Sequence, residues 1–174
     1  MLSVSVDQHQ LSQELYGFME QVRRGQSVSP SKLSRFPFTT ELELSLLEPY
    51  LLDESKVVGE EAIGLLRVSV ISCSDLHFRQ LSARKLAQLF APDFRDRWIS
   101  ALLTLSGHFH REDFTDETRS YLTERLIEQY EFMRRSRTPF MRSRELFSLI
   151  SKAELHGALP ILDNMELAER GHSE

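Results

Sequence analysis

Apolar residues recur every three or four positions along most of the chain, and this spacing predicts helices more often than strands. The first clear stripe consists of Leu11, Leu15, Phe18, Met19 and Val22. Gly25 follows it and suits the left-handed residue that often ends a helix. The pattern therefore predicts a first helix over residues 11–24.

The longest regular stripe lies in residues 116–137. Its apolar positions fall on one helical face and are Leu122, Leu126, Tyr130 and Met133. Thr115 can accept a hydrogen bond from the first turn, and Pro139 cannot continue the helix. A long helix that begins after Thr115 is therefore predicted.

Two apolar segments carry helical and extended signals together. Thr40 and Glu43 match a capping box ahead of residues 41–52, although the leucines there also alternate as in a strand. Residues 55–77 have a helical stripe, whereas residues 66–72 have the β-branched alternation of a strand. We predict helices for both and leave open a short two-stranded β ribbon that pairs 66–72 with the alternating N-terminus.

End signals also place helices in the second half of the chain. Ser82 can cap a helix over residues 83–90. Pro92 suits the first turn of a helix that Gly107 would end. A further helix is predicted to follow Ser143 and to end at Gly157, with a short last helix in 160–170 and a flexible tail from about 166.

Together these segments predict a mainly α, single-domain helical bundle of about six to seven helices over residues 1–174. A chain of this length suits one compact unit that buries roughly two thirds of its unfolded surface. The hydrophobic fraction of 41% and the charged fraction of 27% are close to globular averages, which argues against disorder.

Composition also bounds the setting in which the protein works. No apolar run approaches the roughly 20 residues that cross a bilayer, and the N-terminus lacks a basic segment followed by an apolar core. Cys73 is the single cysteine, which excludes an intrachain disulfide and any cysteine-only metal site. We therefore expect a cytoplasmic protein with no membrane contact and no cofactor.

Charge arrives in blocks of alternating sign in a chain whose net charge is -5. Residues 41–61 hold seven acids against Lys56, and residues 132–152 hold six bases against Glu145. Exposed pairs between such blocks contribute about 0–1 kcal/mol each, so a mixed, solvated surface is the plain interpretation. The sharper interpretation is that one block recruits a partner of opposite charge.

Five arginines crowd the end of the long helix and the start of the next: Arg134, Arg135, Arg137, Arg142 and Arg144. The first three fall in the predicted last turn, where the helix dipole favours cations. Glu131 stands four residues before Arg135 and predicts an intrahelical pair. Arg142 and Arg144 lie near the predicted start of the next helix, where the helix dipole disfavours cations. The dipole therefore does not explain why arginines occur at these two positions.

A turn at Thr138 and Pro139 would gather these five guanidinium groups beside Phe132 and Phe140. Guanidinium groups donate paired hydrogen bonds to phosphate, and aromatic rings stack on bases. The chain nevertheless has no RNA-recognition sequence or zinc-finger motif, and its pI near 5.7 gives no overall attraction to nucleic acid. Nucleic-acid binding is therefore the alternative and not the first choice.

Residues 81–105 could form a helix-turn-helix, with Arg95 and Arg97 at the start of the reading helix. Asp93 and Asp96 would then oppose the phosphates, and the turn has Pro92 near the position where glycine is common. Two ordinary packed helices explain the segment better. Their predicted core consists of Leu86, Leu89, Phe90, Phe94, Trp98, Ile99 and Leu102.

The candidates for catalysis and for metal binding are incomplete. Cys73 and His77 are four residues apart, so on one helix the imidazole could stabilise a thiolate. Nothing supplies oxyanion donors or a third group, and Cys73 is better explained as a small buried residue. His108 and His110 lie near two acids, but zinc needs three or four protein ligands. We expect neither an enzyme nor a metal site.

These observations favour a small intracellular regulatory or adaptor protein that acts through protein–protein contacts of a helical surface. The alternative is a nucleic-acid-binding protein, either a transcription regulator or a nucleoprotein subunit. In both cases the predicted binding residues are Arg134, Arg135, Arg137, Arg142 and Arg144, with Arg95 and Arg97 as a second surface. Homo-oligomer formation is left open.

Overall fold

The computed structural model describes residues 2–26, 38–136 and 143–161. Within these residues the chain forms seven α-helices, four short 3₁₀-helices and no β-strand. The α-helices are α1 (Leu2–Arg23), α2 (Glu41–Leu51), α3 (Lys56–Ser72), α4 (Leu76–Ala87), α5 (Trp98–His108), α6 (Asp116–Arg135) and α7 (Ser143–Lys152). The predicted mainly α helical bundle is confirmed.

The alternation that left a β ribbon open belongs to helices. Residues 66–72 form the second half of α3, and the N-terminal alternating stretch lies in α1. The prediction that residues 55–77 are helical is therefore right, although these residues belong to two helices, α3 and α4. Helix α1 begins at Leu2, well before the predicted start at residue 11.

Contacts divide the chain into two compact units, Met1–Ser82 and Ala83–Glu174, and the division falls inside α4. The expected single domain stays a prediction. Residues 27–37, the predicted turn at Thr138 and Pro139 and the predicted tail from about 166 lie outside the described residues. No helix in the described part of the chain is long and apolar enough to span a bilayer.

In the first unit, α3 packs against α1 and α2. The stripe predicted for α1 is buried at Leu15, Phe18, Met19 and Val22. Gly25 ends this helix at φ 72, and two backbone bonds close the turn: Gln26 to Gln21 (3.0 Å) and Gly25 to Val22 (3.0 Å). This pair of bonds is the Schellman motif that the glycine predicts.

Local side chains fix the ends of α2 and α3. The Thr40 hydroxyl accepts from the Glu43 amide at 3.2 Å, which forms half of the predicted capping box. Ser55 caps α3 by accepting from Val58. Arg23, at the end of α1, donates two hydrogen bonds to Asp53 (2.9 and 2.7 Å), and this paired carboxylate raises the pKa of Arg23 above its ordinary value.

In the second unit, α5 packs against α7, and α6 packs against two 3₁₀-helices, Gln88–Phe90 and His156–Ala158. Thr115 caps α6 by accepting from the Thr118 amide at 3.2 Å, as predicted. Arg119 of α6 donates to the Ala153 carbonyl (2.9 Å), and Lys152 donates to the Ser106 carbonyl. The unit is therefore held by apolar packing and by cations that satisfy helix-end carbonyls.

The predicted cap at Ser82 is wrong. Ser82 is buried inside α4, where its hydroxyl donates to the Phe78 carbonyl one turn earlier (2.8 Å). The cap of α4 is Asp75, whose carboxylate accepts from the Phe78 amide at 2.9 Å. Both residue types can cap a helix, and the cap lies about two turns before the predicted position.

The predicted helix after Pro92 begins later than expected. Pro92 opens a 3₁₀-helix, Pro92–Arg97, and α5 starts only at Trp98 and runs through Gly107. Phe94 interrupts the 3₁₀-helix with φ -118 and ψ 25. The last described α-helix also differs, because α7 ends at Lys152, and Glu154 at φ 56 turns the chain before Gly157.

Candidate partner-binding site

The structure describes five of the seven arginines predicted to bind a partner; Arg137 and Arg142 lie outside the described residues. Arg95, Arg134, Arg135 and Arg144 are exposed. Arg97 is only 1% exposed, with its Nε 3.0 Å from the Asp96 carboxylate and its guanidinium 5.3 Å from the Phe94 ring. In this conformation Arg97 has no access to a partner's phosphate, so its predicted binding role lacks structural support.

Arg95 is held in one orientation against α6. Its guanidinium carbon lies 3.4 Å from the centre of the Phe132 ring, and its Nε donates to the Gln129 side-chain oxygen at 3.0 Å. The Nε bond uses one of the five guanidinium donors and leaves the two terminal nitrogens without an acidic partner among the described residues. Arg95 is thus a pre-oriented donor of two parallel hydrogen bonds.

Gln129 anchors this arrangement from inside the fold. It is 3% exposed, and its side-chain nitrogen donates to the Phe90 carbonyl at 2.7 Å while its oxygen accepts from Arg95. Both ends of the amide are therefore used. The bond to Phe90 is buried and costly to lose, whereas the bond from Arg95 is part-buried, so Gln129 fixes Arg95 relative to the end of the 3₁₀-helix Gln88–Phe90.

The kink at Phe94 explains why neighbouring arginines point to different places. Ala91 is extended (φ -73, ψ 155), as expected before a proline. The 3₁₀-helix that follows is irregular at Phe94. Arg95 then lies at the surface beside Phe132, whereas Arg97 turns into the core. Sequence spacing alone, which assumes a regular helix, cannot separate the two.

The arginines at the end of α6 have different partners. Arg134 pairs with Glu131 at 2.9 Å, so the predicted pair between Glu131 and Arg135 is wrong by one position. No described acid pairs with Arg135 or Arg144. Arg135 follows Phe132 by three residues and therefore lies one turn further along the same side of α6.

A cavity of about 150 Å³ lies between the first turns of α6 and the end of α4. Its lining residues are Arg84, Ala87, Gln88, Glu117, Thr118 and Tyr121. Arg84 and Glu117 are exposed and pair across the rim at 3.0 Å. A cavity of about this volume can take a group of the size of benzene, which corresponds to one apolar side chain.

The cavity and Arg95 lie along one side of α6. Tyr121, Arg125 and Phe132 recur at helical spacing, so they share a face of this helix. Arg125 connects the two ends: its guanidinium lies 5.1 Å from the Tyr121 ring, and it donates to Glu128 at 2.8 Å. The hydrogen bond with Tyr121, and after it the smaller effect of the hydrogen bond with Glu128, raise the pKa of Arg125 above its ordinary value. We call this face, with the cavity and Arg95, the α6 groove.

The structure does not place the candidate catalytic and metal-binding residues as the sequence predicted. Cys73 follows α3, whereas His77 lies in α4, so the two do not share a helix as predicted. His77 Nε2 lies 3.4 Å from Glu41, and Cys73 is half-buried. His110 caps the 3₁₀-helix Arg111–Asp113, and its amide donates to the Asp113 carboxylate. Among the described residues no group of three or more histidines, cysteines or acids could hold a metal ion.

Comparisons with models of protein families, with curated proteins and with solved structures find no match to this chain.

Proposed function

We propose that the protein is a regulatory or adaptor protein that binds a partner protein along the α6 groove. The observation that carries the proposal is Arg95, held by Gln129 and Phe132 with two guanidinium nitrogens directed to no described acid. A carboxylate of the partner would accept both hydrogen bonds in parallel. Because Arg95 is already oriented, little side-chain entropy is lost when the partner binds.

The length of the groove defines the segment that fits it. Tyr121 lines the cavity and Phe132 supports Arg95, so eleven residues of α6 separate the two ends. At 1.5 Å per residue this distance is about 16 Å. An extended partner segment would span this distance if it carried an apolar side chain and an acidic side chain about five residues apart.

The charge pattern along α6 favours a protein over a nucleic acid. Glu117, Glu128 and Glu131 lie on the same helix as Arg135 and pair with three of the nearby arginines. A phosphate backbone would meet these carboxylates along its length, whereas a peptide can place acidic groups only beside the unpaired arginines. Nucleic-acid binding is accordingly the rival outcome of the experiment.

The experiment captures proteins from the native host with the full chain and identifies them by mass spectrometry, with absorbance at 260 nm recorded on the same fraction. The captured partner is then titrated with purified variants. We expect Arg95→Ala with Arg135→Ala to weaken binding by roughly 10- to 100-fold, since hydrogen bonds to charged groups contribute about 1.5–3 kcal/mol.

Arg24→Ala is the matched control, because Arg24 is an exposed arginine that follows a helix in the other unit. It should leave the affinity unchanged. A partner that binds the double variant as tightly as the wild type would refute the α6 groove as the site. A nucleic acid in the captured fraction, with retention that falls steeply with salt and depends on Arg135 and Arg144, would establish the rival function instead.

A further inference from the structure

The outer face of α3 carries exposed apolar residues, whereas the described helices of its unit that pack on α3 cover the inner face. The inner face packs on α1 and α2 and buries Val58, Ala62, Leu65, Leu66 and Val70. On the opposite face Val57, Val68 and Ile71 are 54%, 37% and 62% exposed. With Gly64 these residues recur at helical spacing on one side of α3, where Glu60 and Glu61 lie between Val57 and Gly64, and we call the four residues the α3 stripe.

The packing of the described residues leaves room for a side chain at Gly64. A Cβ atom added there would meet nothing closer than the Arg67 guanidinium at 3.8 Å, which is ordinary contact. Glycine lowers helix stability relative to alanine, so the chain loses stability here without gaining internal space. A residue without a side chain in the middle of the α3 stripe is what the close approach of a second helix needs.

We propose that the α3 stripe is a homodimer contact, in which α3 of a second copy crosses antiparallel next to Gly64. In an antiparallel pair related by a twofold axis, residues that precede the crossing face residues that follow it. Val57 of each copy then lies at the level of Ile71 of the other copy. The two glycines meet where the helix backbones are closest.

The charges at the edge of the α3 stripe fit this arrangement. Glu60 and Arg67 lie on one edge, four residues before Gly64 and three residues after it. A twofold axis of this kind places the same edges of the two helices side by side. Each Arg67 therefore faces the other copy's Glu60, which gives two opposite-charge pairs at the rim of the apolar contact.

A parallel pair of α3 helices is disfavoured by the same residues. In that arrangement opposite edges of the α3 stripe face each other at equal heights, so Glu60 of one copy would approach Glu61 of the other. Like charges in such positions repel. The distribution of charge thus selects the antiparallel dimer and makes the surface complementary to itself.

The contact is small, because one helix face covers less than the roughly 800 Å² per partner of a standard interface. We therefore expect a dissociation constant in the micromolar range and a monomer–dimer equilibrium. The experiment is sedimentation equilibrium of the full chain over a concentration series. The wild type should shift from the monomer mass of 20.2 kDa towards twice that mass as its concentration rises.

Gly64→Leu tests the crossing point. The substituted side chain would separate the two helices at the point of closest approach, so the variant should stay monomeric at concentrations where the wild type is a dimer. Gly17→Leu is the matched control, because Gly17 is also exposed in a helix and has no atom within 4 Å of an added Cβ. Circular dichroism checks that both variants keep the helical content of the wild type.

A charge exchange distinguishes a second copy from any other occupant. Arg67→Glu and Glu60→Arg should each weaken self-association by roughly tenfold, whereas mixing the two variants should restore dimers because opposite charges then meet again. A wild type that stays monomeric throughout the series would overturn the proposal. So would dimers that Gly64→Leu leaves intact, or a mixture that associates no better than either variant alone.

Discussion

Burial divides the arginines of the second unit into residues that support the fold and residues that face solvent. Arg97 is enclosed with Asp96 and Phe94, and Arg95 lies two positions earlier on the surface of the same 3₁₀-helix. An enclosed guanidinium must keep its hydrogen bonds, since no water replaces them. An exposed guanidinium can exchange its donors between water and a partner.

Arg97→Ala should therefore lower the free energy of unfolding by about 3 kcal/mol, because it removes a large buried side chain and its hydrogen bonds. Arg95→Ala should lower it by no more than about 1 kcal/mol, the usual range for an exposed polar contact. Urea denaturation of both variants measures the difference. Equal losses for the two variants would contradict the assignment of Arg97 to the core.

Glu154 has a backbone conformation that suits glycine. Its φ of 56 lies in the left-handed region, where a side chain costs about 1–2 kcal/mol. Its carboxylate pairs with Arg111 at 3.0 Å, and the side chains of Arg111 and Glu154 are 67% and 36% exposed. Glu154→Gly should raise the free energy of unfolding by up to about 1 kcal/mol, since the relief of strain exceeds the loss of an exposed ion pair.

Arg111→Ala provides the control for that change, because it removes the ion pair and keeps the strained residue. It should lower stability by less than about 1 kcal/mol. Thermal unfolding followed by circular dichroism compares the two variants directly. If Glu154→Gly is less stable than the wild type, the ion pair outweighs the backbone strain and the prediction is wrong.

At the scale of the helices, local capping signals explain which boundaries the sequence predicts. Thr40, Thr115 and Gly25 act where the sequence places them, because each needs only neighbours within four residues. Ser82 fails as a cap because tertiary packing buries it in the middle of α4. Asp75 is the same kind of capping residue, but the single helix predicted over residues 55–77 extended past it.

The sequence predicts only part of the α6 groove, because some of its contacts join residues that are far apart in the chain. Clustered arginines and Phe132 are visible in the sequence, whereas the bond between Arg95 and Gln129 joins residues 34 positions apart. The position of Gln129 in the sequence could have indicated this contact. Gln129 follows Leu126 by three positions on the buried side of α6, and an amide in that place usually has a buried partner.

The cap of α4 gives a prediction for this element. Asp75→Ala should lower the free energy of unfolding by about 1 kcal/mol, because the Phe78 amide loses its acceptor. Asp75→Ser should recover most of that loss, since serine also caps helices well. Urea denaturation distinguishes them, and equal stability of Asp75→Ala and the wild type would show that the cap contributes nothing.

For the whole molecule, the position of α4 bears on how the two compact units unfold. The helix contributes Leu76–Ser82 to one unit and Ala83–Ala87 to the other. Helix formation is cooperative along the chain, so fraying on one side of the division weakens the turn on the other. A shared helix is a reason for the units to lose structure together.

We therefore expect a single thermal transition in calorimetry, with equal calorimetric and van't Hoff enthalpies. Asp75→Ala should move the entire transition to lower temperature, because its effect on α4 reaches both units. Two resolved transitions, of which only one shifts in Asp75→Ala, would show instead that the units unfold independently and that the expected single domain is wrong.

The α3 stripe also changes how strongly the α6 groove would select its ligands. The two surfaces share no residue, so a dimer that pairs through α3 would contain two copies of the groove residues. A ligand that repeats its acidic segment on one tether could then occupy both grooves, and its second attachment would be intramolecular. Such avidity can exceed the affinity of one groove by about a hundredfold or more, so the protein would respond to the valency of its ligand as well as to its sequence.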